Sequence, residues 1–331
     1  MPTTVEEYHQ ALLTFKENGP DGVLPLSFLN ADDIADLIAA IGGQADNPDH
    51  RIVQDGKVLF TANTDGFRDA IAELRSWYGE GLIDQESFSQ DYVKFVAKGK
   101  AEPQSLGSFY FWEGPEVVGP ERAGQYEIVP IFPGPDGVQR ACVANNQEIN
   151  RGAFAITRTN QYAAATLRWA DMLFDPAMSA QANWGPIGVS QQVNGEGLLE
   201  QIPVGEGETE QERRVKVAPG GPKIITAQDF ETVVLAEPRA AERQAQIAEF
   251  YEPHRANEKY PPVMLSVDEL NRVSTIEADI NTLVTEKIAT WIVRGGIEEE
   301  WDAYVTQLET MGLPEVIEVY QDAYDRFTAN T

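Results

Sequence analysis

The chain has 331 residues, enough for two ordinary domains, and its 42% hydrophobic content marks a globular protein with a real core and not a disordered tail. Against 53 acidic residues stand 25 basic ones, and the formal net charge of −28 repels phosphate backbones and anionic headgroups, which argues against nucleic-acid and membrane-surface partners. A lone cysteine, Cys142, leaves no intrachain disulfide and no cysteine-based zinc site.

In chain order, Thr4 and Glu7 predict a capping box opening a helix with the stripe Val5, Tyr8, Leu12 and Phe15, which the turn ENGPDG ends. The start MPTTVEEYHQALL lacks a basic region followed by an apolar one, and no apolar run reaches spanning length. A strand over 23–28 and a helix over 31–41 follow, and Asp55-Gly56 makes a hairpin turn between Arg51-Ile52-Val53 and Val58-Leu59-Phe60. Phe67, Ile71, Leu74, Trp77 and Tyr78 recur at helical spacing until Gly79 and Gly81. A short helix over 91–98 precedes GSFYFWEGPE, and YEIVPIF then reads as a strand ended by GPDG.

GAFAIT, residues 152–157, reads as a buried strand, and 162–174 as a helix with Ala165, Trp169 and Leu173 on one face. Residues 190–260, rich in Gly, Pro and Glu, read as loop with a weak helix over 240–251. Ser274 and Glu277 predict a second capping box, opening a helix through Ile276, Ile280, Leu283, Val284, Trp291 and Ile292 to Gly295-Gly296. Two more helices follow, one through Trp301, Tyr304, Val305, Leu308 and Met311, the other from Pro314 through Ile317, Tyr320 and Tyr324. The pattern is α/β with a helical C-terminal third.

His9, His50 and His254 are scattered and never share a helix face at i, i+4, so no metal site is expected. Serine-hydrolase, phosphate-loop and dinucleotide glycine motifs are absent, and no cofactor is expected. Glu298-Glu299-Glu300 complement the positive end of a helix, although spacing leaves open a carboxylate pair for glycan hydrolysis. Sugar sites combine flat rings with amide, carboxylate and guanidinium groups. The candidates for such a set are Tyr110, Trp112, Glu113, Asn146, Glu148, Arg151, Asn183 and Trp184. Side chains alternate along a strand, so Phe109 and Phe111 can face the core while Tyr110 and Trp112 face elsewhere; packing and display stay open alternatives.

PTTVEEYHQALLTFKENGPDG, RDAIAELRSWYGEGLIDQESF, FAITRTNQYAAATLRWADMLFDP, NWGPIG and IATWIVRGGIEEEWDAYVTQLETMGL with VYQDAYDRF resemble the extracellular solute-binding proteins of family 1. The branch they are most similar to is the large carbohydrate lipoprotein type, LplA/LipO-like. The resemblance runs over nearly the whole chain in order. It implies a periplasmic-binding-protein-like fold of type II with two α/β lobes, a ligand cleft between them, and much of the first lobe missing, so that the chain is expected to be N-terminally truncated. Residues 3–150 would form the second lobe, 151–195 a partial return to the first, 196–260 a loop-rich insertion and 261–331 helices bracing both.

The implied function is capture, without catalysis, of an oligosaccharide for an ABC importer, with the permease as partner and an extracellular, lipid-anchored location in relatives. Tyr110 or Trp112, and Trp184 opposite, would lie by the cleft, and a chain short of one lobe would bind sugar weakly or not at all and expose the apolar faces of GAFAIT and of the Trp169 helix. The alternatives are a glycan-acting hydrolase or lyase, and a non-binding remnant with a protein-interaction role.

Overall fold

A computed structural model describes residues 1–143, 145, 154–205, 208–221, 225–235 and 238–329. The elements run α1 (Val5–Asn18), β1 (Leu24–Phe28), α2 (Ala35–Gly42), β2 (Arg51–Gln54), β3 (Lys57–Phe60), α3 (Asp65–Gly79), α4 (Tyr92–Gly99) and β4 (Leu106–Tyr110). They continue with α5 (Gly114–Val118), α6 (Pro120–Ala123), α7 (Ala163–Met172), α8 (Pro176–Trp184), β5 (Gln191–Val193), β6 (Leu199–Gln201), α9 (Glu210–Val217), α10 (Ala227–Thr232) and α11 (Pro238–Phe250). The chain ends with α12 (Val267–Arg294), α13 (Ile297–Met311) and α14 (Leu313–Thr328). The chain divides into two compact units. Among the described residues no helix is long and apolar enough to cross a membrane.

The first unit comprises Met1–Trp112, Gln125–Ile149 and Ala248–Thr331. Its core draws Tyr8, Leu12, Leu26, Phe28, Phe67, Ile71, Leu74 and Trp77 together with Ile280, Ile288, Trp291, Trp301 and Tyr304 from the C-terminal helices. The stripe of α3 therefore buries against α12, as its period of 3.6 residues demands. Where α2 meets the start of α3, Gly42 and Gly66 touch backbone to backbone; a Cβ on either would collide with the carbonyl oxygen of the other. β1 and β4 pair in parallel, with Leu26 opposite Ser108 and Phe28 opposite Tyr110. The hairpin forms as expected, Asp55 and Gly56 at φ 52° and 77° giving the left-handed turn that antiparallel strands favour.

Four local expectations need correction. Thr4 Oγ accepts from the Glu7 amide, but the Glu7 carboxylate takes the amide and hydroxyl of Thr3, so the box is half made. YEIVPIF joins no strand ladder: Pro130 has no N–H to donate, and the Tyr126 hydroxyl instead donates to the Leu106 carbonyl at 2.6 Å. The third correction is to the start of α12, which opens two turns before Ser274, on a capping box made by Ser266 and Glu269. Of GAFAIT, residues 152–153 lie outside the described residues; 154–157 form no strand, and Phe154 is exposed.

The second unit comprises Glu113–Gly124 and Asn150–Ile247. Where loop was expected it holds β5 paired antiparallel to β6, and α9 and α10, each opened by a complete capping box, Thr209 with Glu212 and Thr226 with Asp229. Its compact core is small, centred on Ala180, Leu199 and Val234 with Trp184 and Phe230 against them.

Candidate functional site

The aromatic run splits residue by residue. Phe109 meets Tyr126 edge-on at 5.3 Å between ring centres, and Phe111 lies 5.3 Å from Phe95 and 6.2 Å from Tyr92. Neighbouring Ser108 is tied to the Tyr8 hydroxyl. Tyr110 is partly buried against the first unit's core; burial above all, then Tyr8, Asp36 and Tyr251, pushes its phenol well above the ordinary value, so it stays neutral. Trp112 is different: the strand ends at Tyr110, and the indole past its end is 47% exposed. Packing thus claims Phe109, Phe111 and Tyr110, and the exposed ring of the run is that of Trp112.

Glu113 is nearly buried and engaged. Its carboxylate meets the Arg239 guanidinium and takes a 2.6 Å hydrogen bond from Arg243, both on α11, while the buried Glu116 lies 3.8 Å from Arg239. Burial, and then the neighbouring Arg243, hold the Arg239 guanidinium below its usual pKa. Two arginines one helical turn apart on α11 form a fork for a buried acid. Glu113 is thus held within the second unit by both arginines.

Asn183 is buried as well. Its amide donates to the Ser179 carbonyl at 2.9 Å, and its own backbone carbonyl accepts from Arg214 Nε at 3.0 Å. Trp184 is partly buried and lies 6.4 Å from Phe230. Gly185 then turns the chain at φ 100°, where a Cβ would strike Ser190 and Val217, so NWG ends α8 on a glycine. Asn146, Glu148 and Arg151 lie outside the described residues.

One polar cluster escaped the sequence reading. His50 is buried, its Nδ1 3.1 Å from both carboxylate oxygens of Asp46, which also accepts from the Asn47 amide and the Thr61 hydroxyl. Burial works to lower the His50 pKa, but the charge and hydrogen bond of Asp46, with Asp32 and Asp49, outweigh it and raise it. Asn145, set beside this cluster, donates to the Arg51 carbonyl at 2.9 Å and accepts from the Tyr260 amide at 2.9 Å. The D-x-x-x-H spacing was the available signal, and it needed Thr61, beyond the whole β2–β3 hairpin, to become legible. Among the described residues no group of three or more His, Cys, Asp and Glu is arranged to hold a metal.

No protein-family model matches the chain. It is 33% identical, over its whole length, to the fructooligosaccharide ABC transporter substrate-binding protein FusA of Streptococcus pneumoniae, and it spans 63% of that relative's length. The solved structure of the S. pneumoniae protein in complex with kestose matches all of this chain and 70% of that one, at 32% identity and a TM-score of 0.90. An HMO-binding, ABC-transporter-associated solute-binding protein from Bifidobacterium longum infantis matches 99% of this chain and 71% of that one at 21% identity and a TM-score of 0.74, a likeness of fold alone. An alginate-binding protein does so over 98% of this chain and 68% of that one at 20% identity and a TM-score of 0.78. The α/β, periplasmic-binding-protein-like class with a helical C-terminal region is therefore the fold observed.

Proposed function

The chain belongs to the substrate-binding proteins of ABC transporters, and from that membership we propose that it captures an oligosaccharide for import. One observation carries the reading: a kestose complex at 32% identity shares the fold of this chain from end to end. A second solved complex of the same relative holds fructo-nystose, so fructose-containing oligosaccharides are the first ligand class to try. The proposed work is binding and release to a permease, with no bond made or broken in the sugar. Extracellular location and assignment to the lipoprotein branch belong to the same proposal and rest on the quoted sequence stretches.

In this reading Trp112 offers the flat face on which a sugar ring stacks, with Tyr110 beside it as a neutral hydroxyl. Asn146, Glu148 and Arg151 are proposed for the sugar hydroxyls on sequence grounds. Glu113, Asn183 and Trp184 are proposed to hold their loops in shape for the ligand. The lobe boundaries at 150, 195 and 260 are part of the proposal too.

The test is calorimetric titration of the chain with kestose and nystose, alongside alginate fragments, with the sugars recovered and analysed afterwards. Saturable heat with a fructooligosaccharide, and sugar recovered intact, is the expected result. Shortened sugar would move the chain to the glycan-acting enzymes, and no heat with any sugar would overturn the receptor reading.

A further inference from the structure

Burial raises the phenol pKa of several tyrosines in the first unit, and a hydroxyl that has lost its water needs another partner. Tyr8 is tied to Ser108; Tyr260 donates to the Tyr320 carbonyl at 2.8 Å, Tyr304 to the Ala62 carbonyl at 3.1 Å and Tyr320 to Glu277 at 3.0 Å. Tyr110 and Tyr251 differ. Burial pushes Tyr110 well above the ordinary value and Tyr251 up to about 12, yet among the described residues neither hydroxyl makes a hydrogen bond. Both side chains keep part of their surface open.

Asp36 joins them, and the fold of the first unit explains how. β4 ends at Tyr110, opposite Phe28 at the end of β1, and the chain then leaves β1 for α2, whose first turn carries Asp36. The Cys142 amide donates to Asp36 Oδ1 at 2.6 Å. Its neighbour Ala141 donates to the His254 carbonyl at 2.7 Å and accepts from the Ala256 amide at 3.0 Å, which sets Tyr251 close by. Asp36 and Tyr251 both act electrostatically on Tyr110, and Asp36 acts on Tyr251. Among the described residues Cys142 alone bonds to the Asp36 carboxyl, so most of its acceptor capacity is unused. No lysine, arginine or histidine among the described residues contributes to the pKa shifts of Asp36, Tyr110 or Tyr251. Ligands of open α/β sheets gather beyond the carboxyl ends of parallel strands, where these three groups stand.

On the reading of the chain as an oligosaccharide receptor, we propose that Asp36, Tyr110 and Tyr251 form a subsite selective for neutral sugars, taking hydroxyl groups and turning away uronate carboxylates. A sugar hydroxyl donates to Asp36 and accepts from a phenol, whereas a uronate would bring a second negative charge to Asp36 with no cation between them. The test titrates the full chain, Tyr251→Phe and Asp36→Asn calorimetrically with nystose and with alginate fragments, and melts each protein alone. The unsubstituted chain should prefer nystose. Tyr251→Phe removes a hydroxyl without a protein partner, so it should keep the thermal midpoint and bind nystose about tenfold more weakly. Asp36→Asn keeps a carbonyl for the Cys142 amide; it should weaken nystose about as much and narrow the preference over alginate fragments. A lowered midpoint in Tyr251→Phe would make that hydroxyl structural and overturn the subsite. Nystose affinity unchanged in either variant, or alginate bound as tightly as nystose, would overturn it too and leave the receptor reading standing. Absence of heat with either sugar from the unsubstituted chain would overturn both.

Discussion

The guanidinium of Arg51 lies 3.6 Å from the centre of the Tyr320 ring, fastening the β2–β3 hairpin to the last helix. The same Arg51 donates to Glu277 Oε1 at 2.7 Å, and the Tyr320 hydroxyl donates to Glu277 Oε2 at 3.0 Å, so three elements meet in one triangle. Replacing Arg51 with Met removes the stack and leaves Glu277 facing Tyr320 without its cation. We expect a loss of about 3 kcal/mol in urea denaturation, and Arg51→Lys to recover only part of it, because an ammonium cannot stack as the planar group does. A loss no larger than that of an exposed ion pair, below about 1 kcal/mol, would show the triangle to be ornamental.

His50 predicts a pH dependence. Its folded pKa lies above the ordinary 6.5 because Asp46 outweighs burial. A raised histidine stabilises fully below the unfolded value, loses about 1.4 kcal/mol per pH unit above it, and contributes nothing once the pH passes the folded value. Stability should therefore fall as the pH rises from about 6.5 through the raised value. His50→Asn keeps a residue suited to φ 49° and removes the titration, so it should flatten this part of the curve. Denaturant midpoints at closely spaced pH values decide the matter, and equal slopes for the two proteins would refute it.

Trp112 and Phe111 should separate function from stability. Phe111→Ala strips a ring from Phe95 and Tyr92 and should cost about 2 kcal/mol of folding stability. Trp112→Ala removes a half-exposed indole and should change stability by no more than about 0.5 kcal/mol. Its effect belongs in the titration with kestose, as roughly tenfold weaker binding, or about 1.4 kcal/mol. Unchanged affinity in Trp112→Ala would remove the indole from the site.

Gly185→Ala should damage the second unit. The residue sits at φ 100°, and a methyl group there would press on Ser190 and Val217. Strain of this kind costs about 1–3 kcal/mol, to which the collision adds. Proteolysis of the loops around β5 and β6 should accelerate first, and an unchanged cleavage pattern would count against the assignment.

What could be read from the sequence was whatever announces itself locally. The α3 stripe and the Asp55-Gly56 turn carry their own period or backbone demand, and each falls where it was expected. The first turns of α12 were missed because Val267 and Leu270 are exposed there, so no apolar stripe marks them; the Ser266–Glu269 cap alone carried the signal. The second unit was misread for a related reason: α9 and α10 have good caps but little apolar surface, and composition spoke for loop. The engagement of Glu113 with Arg239 and Arg243 joins residues far apart in the chain, which no local pattern records. Trp112 showed the limit most clearly, since alternation allowed either face and the end of β4 at Tyr110 left the indole half exposed.

The first unit is assembled from three stretches of chain, and Trp77 of α3 shares its core with Trp291 and Tyr304, made much later. A nascent polypeptide emerging from the ribosome therefore carries α3 without its α12 and α13 partners, and no early segment can close that core alone. Completion waits for α12 and α13 to arrive. A translation stop anywhere before residue 267 leaves Trp77 with Tyr8 and His9 of α1 against it but without the side of the core that Trp291 and Tyr304 supply, so quality control that senses exposed aliphatic and aromatic surface meets a species that cannot complete its core by refolding.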